Sequence, residues 1–264
     1  MGGQMPDNAS SGHSPQRVLV TGGTSGIGRA MVQAFLDTDA TVHVADLAGT
    51  PPEGASMTRT DVSDEGSVDE LFDAVEEHLG GLDVLCNNVG IAGPTGPIEA
   101  LDVGDWDQTM AVNVRSMFLV CRRAVSLLRR AGGGSILNTS STAGITGYPM
   151  RSPYATSKWA VVGLGATLAM ELGELGIRVN TICPGSVGGD RMDRVIAAEA
   201  TAAGTGEAEI RTGYENQVSM RTFVDAEDIA AMAVFLASPA ARLVNGQTIS
   251  VDGGLETLRN TWRT

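Results

Sequence analysis

The feature that most constrains this chain is an alternation of two periods. RVLVT, residues 17–21, is a short β-rich run; it stops at GGTSGIG and passes straight into RAMVQAFLDTD, whose apolar residues recur at helical spacing. The change repeats along the chain. TVHVAD reads as strand, SVDELFDAVEEHLG as helix, LDVLCNNVG as strand, DWDQTMAVNVRSMFLVCRRAVSLLRR as one long helix over 105–130, and SILNTSS as strand. A helix carrying YATSKWAV follows, then the strand GIRVNTICPG, a helix near AEDIAAMAVFLAS and a last strand, QTISVDGG. Strands that alternate with helices pair in parallel through right-handed crossovers, so the chain is expected to be α/β, a doubly wound parallel sheet with helices on both faces.

Nothing in the composition marks an internal boundary, and 264 residues suit one domain over 17–264. The first 16 residues, MGGQMPDNASSGHSPQ, are polar, rich in Gly, Ser and Pro, and lack an apolar signal core; a disordered tail and a cytoplasmic location are expected. No apolar run approaches the roughly 18 residues needed to cross a bilayer. A net charge of −13 argues against nucleic-acid and anionic-membrane partners, which reward clustered Lys and Arg. Cys86, Cys121 and Cys183 are odd in number and far apart, which suggests neither disulfides nor a zinc site. His13, His43 and His78 lie in no motif, leaving little for a Ser-His-Asp or His-metal mechanism. The stretch from about 186 to 222 mixes Gly with Ala and Glu after a strand's carboxyl end, and reads as a substrate lid.

Two local patterns bear on chemistry. In TGGTSGIG, Gly22, Gly26 and Gly28 join a strand to a helix, where glycines let the backbone approach a pyrophosphate and the helix N-terminus favours its charge. The spacing is not G-x-G-x-x-G, so the turn alone is equally a tight bend. Asp46 closes the second strand 18 residues after Gly28, near the distance expected of an acid that bonds a ribose 2′-hydroxyl. A carboxylate there repels a 2′-phosphate, and Ser25 and Leu47 supply no cation to offset it, so NAD is expected over NADP. The second pattern is Tyr154 and Lys158, four apart on one helical face. By spacing alone the pair is an ordinary surface contact worth a few tenths of a kcal/mol.

Taken together and in order, these motifs resemble the short-chain dehydrogenase/reductase family over nearly all of the chain after the tail. TGGTSGIG is similar to its TGxxxGIG turn, NNVG at 87–90 to NNAG, Asn113 in AVNVRSMF to its helix asparagine, Ser141 to its serine thirteen residues before the tyrosine, YATSK to YxxxK, and Pro184-Gly185 to the turn that seats the nicotinamide. The resemblance implies a Rossmann fold, and hydride transfer between NAD(H) and a secondary alcohol or ketone. Tyr154 would be the general acid/base, its phenol drawn below an ordinary pKa of about 10 by Lys158. Ser141 would hydrogen-bond the substrate oxygen, and Asn113 would hold a water that links Lys158 to solvent. Cofactor contacts are implied at Gly22, Ser25, Gly26, Ile27, Gly28, Asp46, Leu47, Asp61, Val62, Asn88, Val89, Gly90, Tyr154, Lys158, Pro184, Gly185, Ser186 and Val187, while Asn87 is expected to be structural.

Two departures stand out: Val89 replaces the alanine of NNAG, and Gly188 stands where the family often has a threonine that bonds the carboxamide. The family also implies a homotetramer built on the two long helices and the last strand. Substrate contacts are expected from residues 90–98, 145–151 and the lid after Val187, with Arg151 and Arg191 facing solvent rather than an acidic substrate. Two other readings stay open: an NAD-binding regulator without turnover, and an epimerase or dehydratase of the extended superfamily, whose larger C-terminal domain and G-x-x-G-x-x-G turn this chain lacks.

Overall fold

Why the RVLVT run has no polar alternation is answered by the sheet it joins, which is covered on both faces. The computed structural model describes residues 15–255. Seven strands, β1 (Arg17–Thr21), β2 (Thr41–Asp46), β3 (Ser56–Arg59), β4 (Val84–Asn87), β5 (Gly134–Thr139), β6 (Ile177–Pro184) and β7 (Thr248–Val251), pair in parallel in the order β3-β2-β1-β4-β5-β6-β7. Successive side chains of β1 serve opposite cores. Leu19 packs with Leu71 and Val75 of α2 (Glu65–Leu79) and Val120 and Leu127 of α4 (Ser116–Arg130), while Val18 and Val20 pack with Met31 and Phe35 of α1 (Gly26–Leu36) and Ile229 and Ala233 of α8 (Ala226–Ala237). This is the single doubly wound domain that the alternation implies.

Local signals set the helix ends. Asp64 accepts from Ser67 N at the start of α2, Gly80 ends it at φ +66, and Asp225 and Asp228 form a capping box on α8. Two boundaries differ from expectation. The long helix over 105–130 is α3 (Val103–Met110) and α4 joined by five π-helical residues, Ala111–Arg115, an irregularity that hydrophobic spacing does not encode. The Ser-Pro pair suggests a helix capped at Ser152 with Pro153 at its first position, but α5 (Ser152–Leu172) takes Arg151 as its N-cap, so both fall inside the first turn. Residues 1–14 of the expected tail lie outside the described residues; Gln16 belongs to the sheet margin, its carbonyl accepting from Thr41 N at 2.8 Å.

Among the described residues no helix is long and apolar enough to cross a membrane, and no His/Cys/Asp/Glu cluster could hold a metal. The three cysteines are buried and form no disulfide, and burial pushes Cys86 and Cys121 up, the latter to about 12.

His43 is a structural residue of the sheet. On β2 it is fully buried, its ring nitrogens 2.7 Å from Ser56 Oγ and 2.9 Å from Thr58 Oγ1, and it stacks on His78 with centroids 5.2 Å apart. Burial first, and the charge of His78 second, lower its pKa to about 4. The unfolded chain takes up this proton near pH 6.5, and the folded one refuses it until about pH 4. His43 therefore leaves stability intact above pH 6.5 and removes on the order of 3 kcal/mol as pH falls to about 4. Thermal melts from pH 7 to 4 should show a steeper acid loss in the natural chain than in His43→Gln; equal slopes would exclude the effect.

Candidate active site

The strand order reverses at β1, whose neighbours are β2 and β4, and a doubly wound sheet opens a crevice at the carboxyl ends of such a pair. The glycine turn after β1 and the NNVG segment after β4 form its two lips. Gly22 (φ +69) and Gly26 (φ +51) adopt left-handed backbone, and a Cβ on Gly26 would meet nothing within 4 Å. The opening lies at the N-terminus of α1, whose N-cap Ser25 makes no side-chain cap bond. A diphosphate fits this place: a helix N-terminus without a side-chain cap, its dipole, and space that a side chain would fill.

The turn is held by hydroxyls that the motif reading passed over. Thr21 Oγ1 accepts from Asn88 N at 3.0 Å and Val89 N at 3.3 Å, and Asn88 Nδ2 donates to Gly22 O at 3.3 Å. Thr24 donates from its N (3.1 Å) and its Oγ1 (2.7 Å) to Asp46 Oδ2, while Leu47 N donates to Oδ1 at 2.8 Å. Asp46 is thus fixed beside the turn, with Leu47 exposed next to it. Ile27 packs partly against the α1–α8 core. Asp61 is exposed and accepts from Ser63 N and Oγ, but the Val62 side chain is buried in the α2–α4 core, so only its backbone is left to meet an adenine. Asn87 is structural, as expected: its Nδ2 donates to Asn138 Oδ1 at 3.0 Å.

The second group gathers further along the same edge. Gly90 lies where a Cβ would be 3.2 Å from Lys158 Nζ and 3.4 Å from Asn113 Oδ1, so it faces this group. Asn113, in the π-helical segment, is fully buried; its Oδ1 accepts from Ile91 N (2.7 Å) and its Nδ2 donates to Ile91 O (2.9 Å) and Ser157 Oγ (2.9 Å). Both amide hydrogens are committed, which narrows the expected water-holding role of this side chain to one lone pair on Oδ1. Its evident work is to brace the loop after β4 against α5. Ser157, which sequence reasoning missed, is the other half of that brace and donates to Tyr154 O at 2.7 Å. Ser141 caps a single 3₁₀ turn, accepting from Ala143 N at 3.2 Å, and is half-buried. Lys158 is buried, its Nζ donating to Thr139 O at 3.1 Å and lying 5.7 Å from the Tyr154 ring centroid. It is no surface cation.

Beyond β6, Gly185 N donates to Val251 O, and a Cβ on Gly185 would come within 2.8 Å of Asp252 Cα. Val187 forms a parallel bridge with Val224; Ser186 O accepts from Val224 N, and Gly188 N donates to Val224 O. That N–H is therefore taken and is not available to a carboxamide. Between these anchors the 186–222 segment holds two helices, α6 (Asp190–Ala203) and α7 (Glu207–Asn216), tied by Arg211 to Asp193 and by Tyr214 Oη to Glu199. A cleft of about 960 Å³ lies between α7 and Tyr148-Pro149, lined also by Glu199, Ile210 and Tyr214. The Arg191 side chain lies outside the described residues. Arg151 does not face solvent: it donates to Ala92 O at 2.9 Å and sits over the Tyr154 ring.

The comparisons agree with this geometry. The family model described as enoyl-(acyl carrier protein) reductase matches residues 22–256. The chain is also 34% identical over 258 residues to 3beta-hydroxysteroid dehydrogenase 2 of Eggerthella lenta, an alignment covering 92% of this chain and 96% of that one. It is a short-chain dehydrogenase/reductase. Another relative in the family, D-threitol dehydrogenase of Mycolicibacterium smegmatis, is 35% identical over 247 residues, covering 89% of this chain and 91% of its own length. Among solved structures, NAD+-bound xylitol dehydrogenase superposes with a TM-score of 0.84 at 26% identity, over 90% of this chain and 98% of that one. As a short-chain dehydrogenase/reductase, the chain is an oxidoreductase.

Proposed function

We propose that this chain is an NAD(H)-dependent dehydrogenase/reductase of secondary alcohols and their ketones, with Tyr154 as the group that takes and returns the hydroxyl proton. The observation that carries the reading is Lys158: a buried cation one turn beyond Tyr154, beside Gly90 and Asn113, on the crevice edge that also holds the glycine turn. Burying an ammonium is costly unless a nearby group uses its charge, and a phenolate does. The relatives support the substrate class, since they are named as dehydrogenases of a hydroxysteroid and of threitol.

When bound, the nicotinamide supplies or accepts the hydride. The chain does the rest. Tyr154 Oη removes the alcohol proton as the carbonyl forms, and Lys158 favours the phenolate by charge. Ser141 Oγ donates to the substrate oxygen where negative charge develops in reduction. Asn113 keeps the loop after β4 in register with α5. Asp46, held by Thr24, would accept from the adenosine ribose hydroxyls and would repel a 2′-phosphate. The regulator reading is weaker, because a pure nucleotide binder has no use for a buried lysine under a tyrosine.

The test follows absorbance at the NADH band with NAD and with NADP against a panel of polyols, hydroxysteroids, hydroxy acids and simple alcohols. Turnover with kcat/KM for NAD at least tenfold above that for NADP is expected. A preference for NADP removes the cofactor assignment, and no turnover across the panel in either direction removes the activity.

A further inference from the structure

Arg151 is placed unlike any ordinary N-cap residue. Its Nη2 donates to Ala92 O at 2.9 Å, which ties it to the loop after β4, and its Nε is buried without a hydrogen-bond partner. The guanidinium carbon lies 5.2 Å from the Tyr154 ring centroid and 5.9 Å from that of Tyr148. A cation within about 6 Å of an aromatic face is attracted to it, and the attraction grows when the ring bears the negative charge of a phenolate. Where the guanidinium is partly withdrawn from water, screening is weaker and its charge reaches further.

We propose that Arg151 is a second cation acting on Tyr154: clamped by the Ala92 carbonyl and the Tyr148 ring, it joins Lys158 in favouring the phenolate and moves the proton-transfer step to lower pH. The proposal rests on the reading of Tyr154 as the proton-transfer group. Arg151 is a positioning residue that works through that phenol.

The groups around the pair are few. Lys158 approaches the same ring from α5, its Nζ 5.7 Å from the centroid. Tyr148 comes from the loop before α5. Across the cleft stand Glu199 of α6 and Tyr214 of α7, joined by a 2.8 Å hydrogen bond. Burial first, then the bond to Glu199 and the nearness of Tyr148, push the Tyr214 phenol up, while Arg151 acts on it in the opposite direction. Asn113 and Ser157, which pack on α5 from the β4 side, are uncharged.

The chain has only three tyrosines, Tyr148, Tyr154 and Tyr214, so ultraviolet difference titration of the full chain without nucleotide resolves one of them. Subtracting the curve of Tyr154→Phe from that of the natural chain isolates Tyr154; subtracting R151Q/Y154F from R151Q does the same without Arg151 and cancels any change at Tyr148. The Tyr154 midpoint is expected to rise by about one pH unit in R151Q. In R151K, which keeps the charge, it should rise by less than half as much. A midpoint in R151Q within about 0.2 of the natural one overturns the proposal, as does an equal rise in R151K, which would assign the effect to lost packing. Melting curves verify that each variant is folded, and R151M, whose stem still covers the rings, replaces R151Q if that one is not. Failure of the base role reads out separately, as turnover retained by Tyr154→Phe.

Discussion

Tyr154→Phe is expected to lose about 10³-fold in kcat while its affinity for NADH stays within about twofold of the natural chain. The phenyl ring keeps the shape that Arg151 and Lys158 pack against, at 5.2 and 5.7 Å from its centroid, so the crevice should survive the change. What disappears is the oxygen proposed to accept the alcohol proton. Hydride departure and proton removal are linked, because a ketone forms from an alcohol only if the hydroxyl proton leaves; binding alone cannot replace that step. Stopped-flow turnover and NADH fluorescence titration separate the two quantities. A kcat within tenfold of the natural chain would remove Tyr154 from the chemistry.

Gly28→Ala should be nearly as damaging, for a different reason. A Cβ at this position would stand 1.9 Å from Gly22 O and 2.6 Å from Asn88 Nδ2, so the turn itself, a backbone element, has to move. Overpacking against backbone costs about 2–3 kcal/mol, and the shifted turn no longer presents its N–H groups to a diphosphate. Loss of NADH affinity by at least about 100-fold together with a clearly lower Tm is expected. Gly26→Ala is the informative contrast. Its Cβ meets no protein atom within 4 Å, so apart from about 1 kcal/mol for an alanine at φ +51 the fold should stand, but the methyl projects into the opening proposed for the diphosphate. NADH affinity should therefore fall with little change in Tm. If both variants bind NADH normally, the diphosphate does not lie at this turn.

Much of the molecule was legible in the chain because it rests on short-range rules. Short β-rich runs such as RVLVT and TVHVAD, and period 3.6 in the segments between, need only local backbone geometry to act. The order of the alternation implies parallel pairing, and the observed strand order follows it. The site residues were legible only as a family pattern: nothing local in YATSK distinguishes a buried pair from a surface one. Composition likewise said nothing of His43, because its burial is set by β3 hydroxyls and by His78, which reaches it from the end of α2.

By itself, then, the sequence determined the layered α/β architecture, the glycine turn with Asp46 after the next strand, and the Tyr154–Lys158 register, all consequences of spacing along a helix or a strand. Only the tertiary structure decided that Lys158 is buried, that Asn113 spends its amide hydrogens on Ile91 and Ser157, that Thr24 holds Asp46, and that Arg151 turns inward over Tyr154. These depend on partners 19 to 59 residues away, as between Lys158 and Thr139 or Arg151 and Ala92. Such contacts exist only once loop closure has been offset by burial of the two cores, and no window of residues carries that balance.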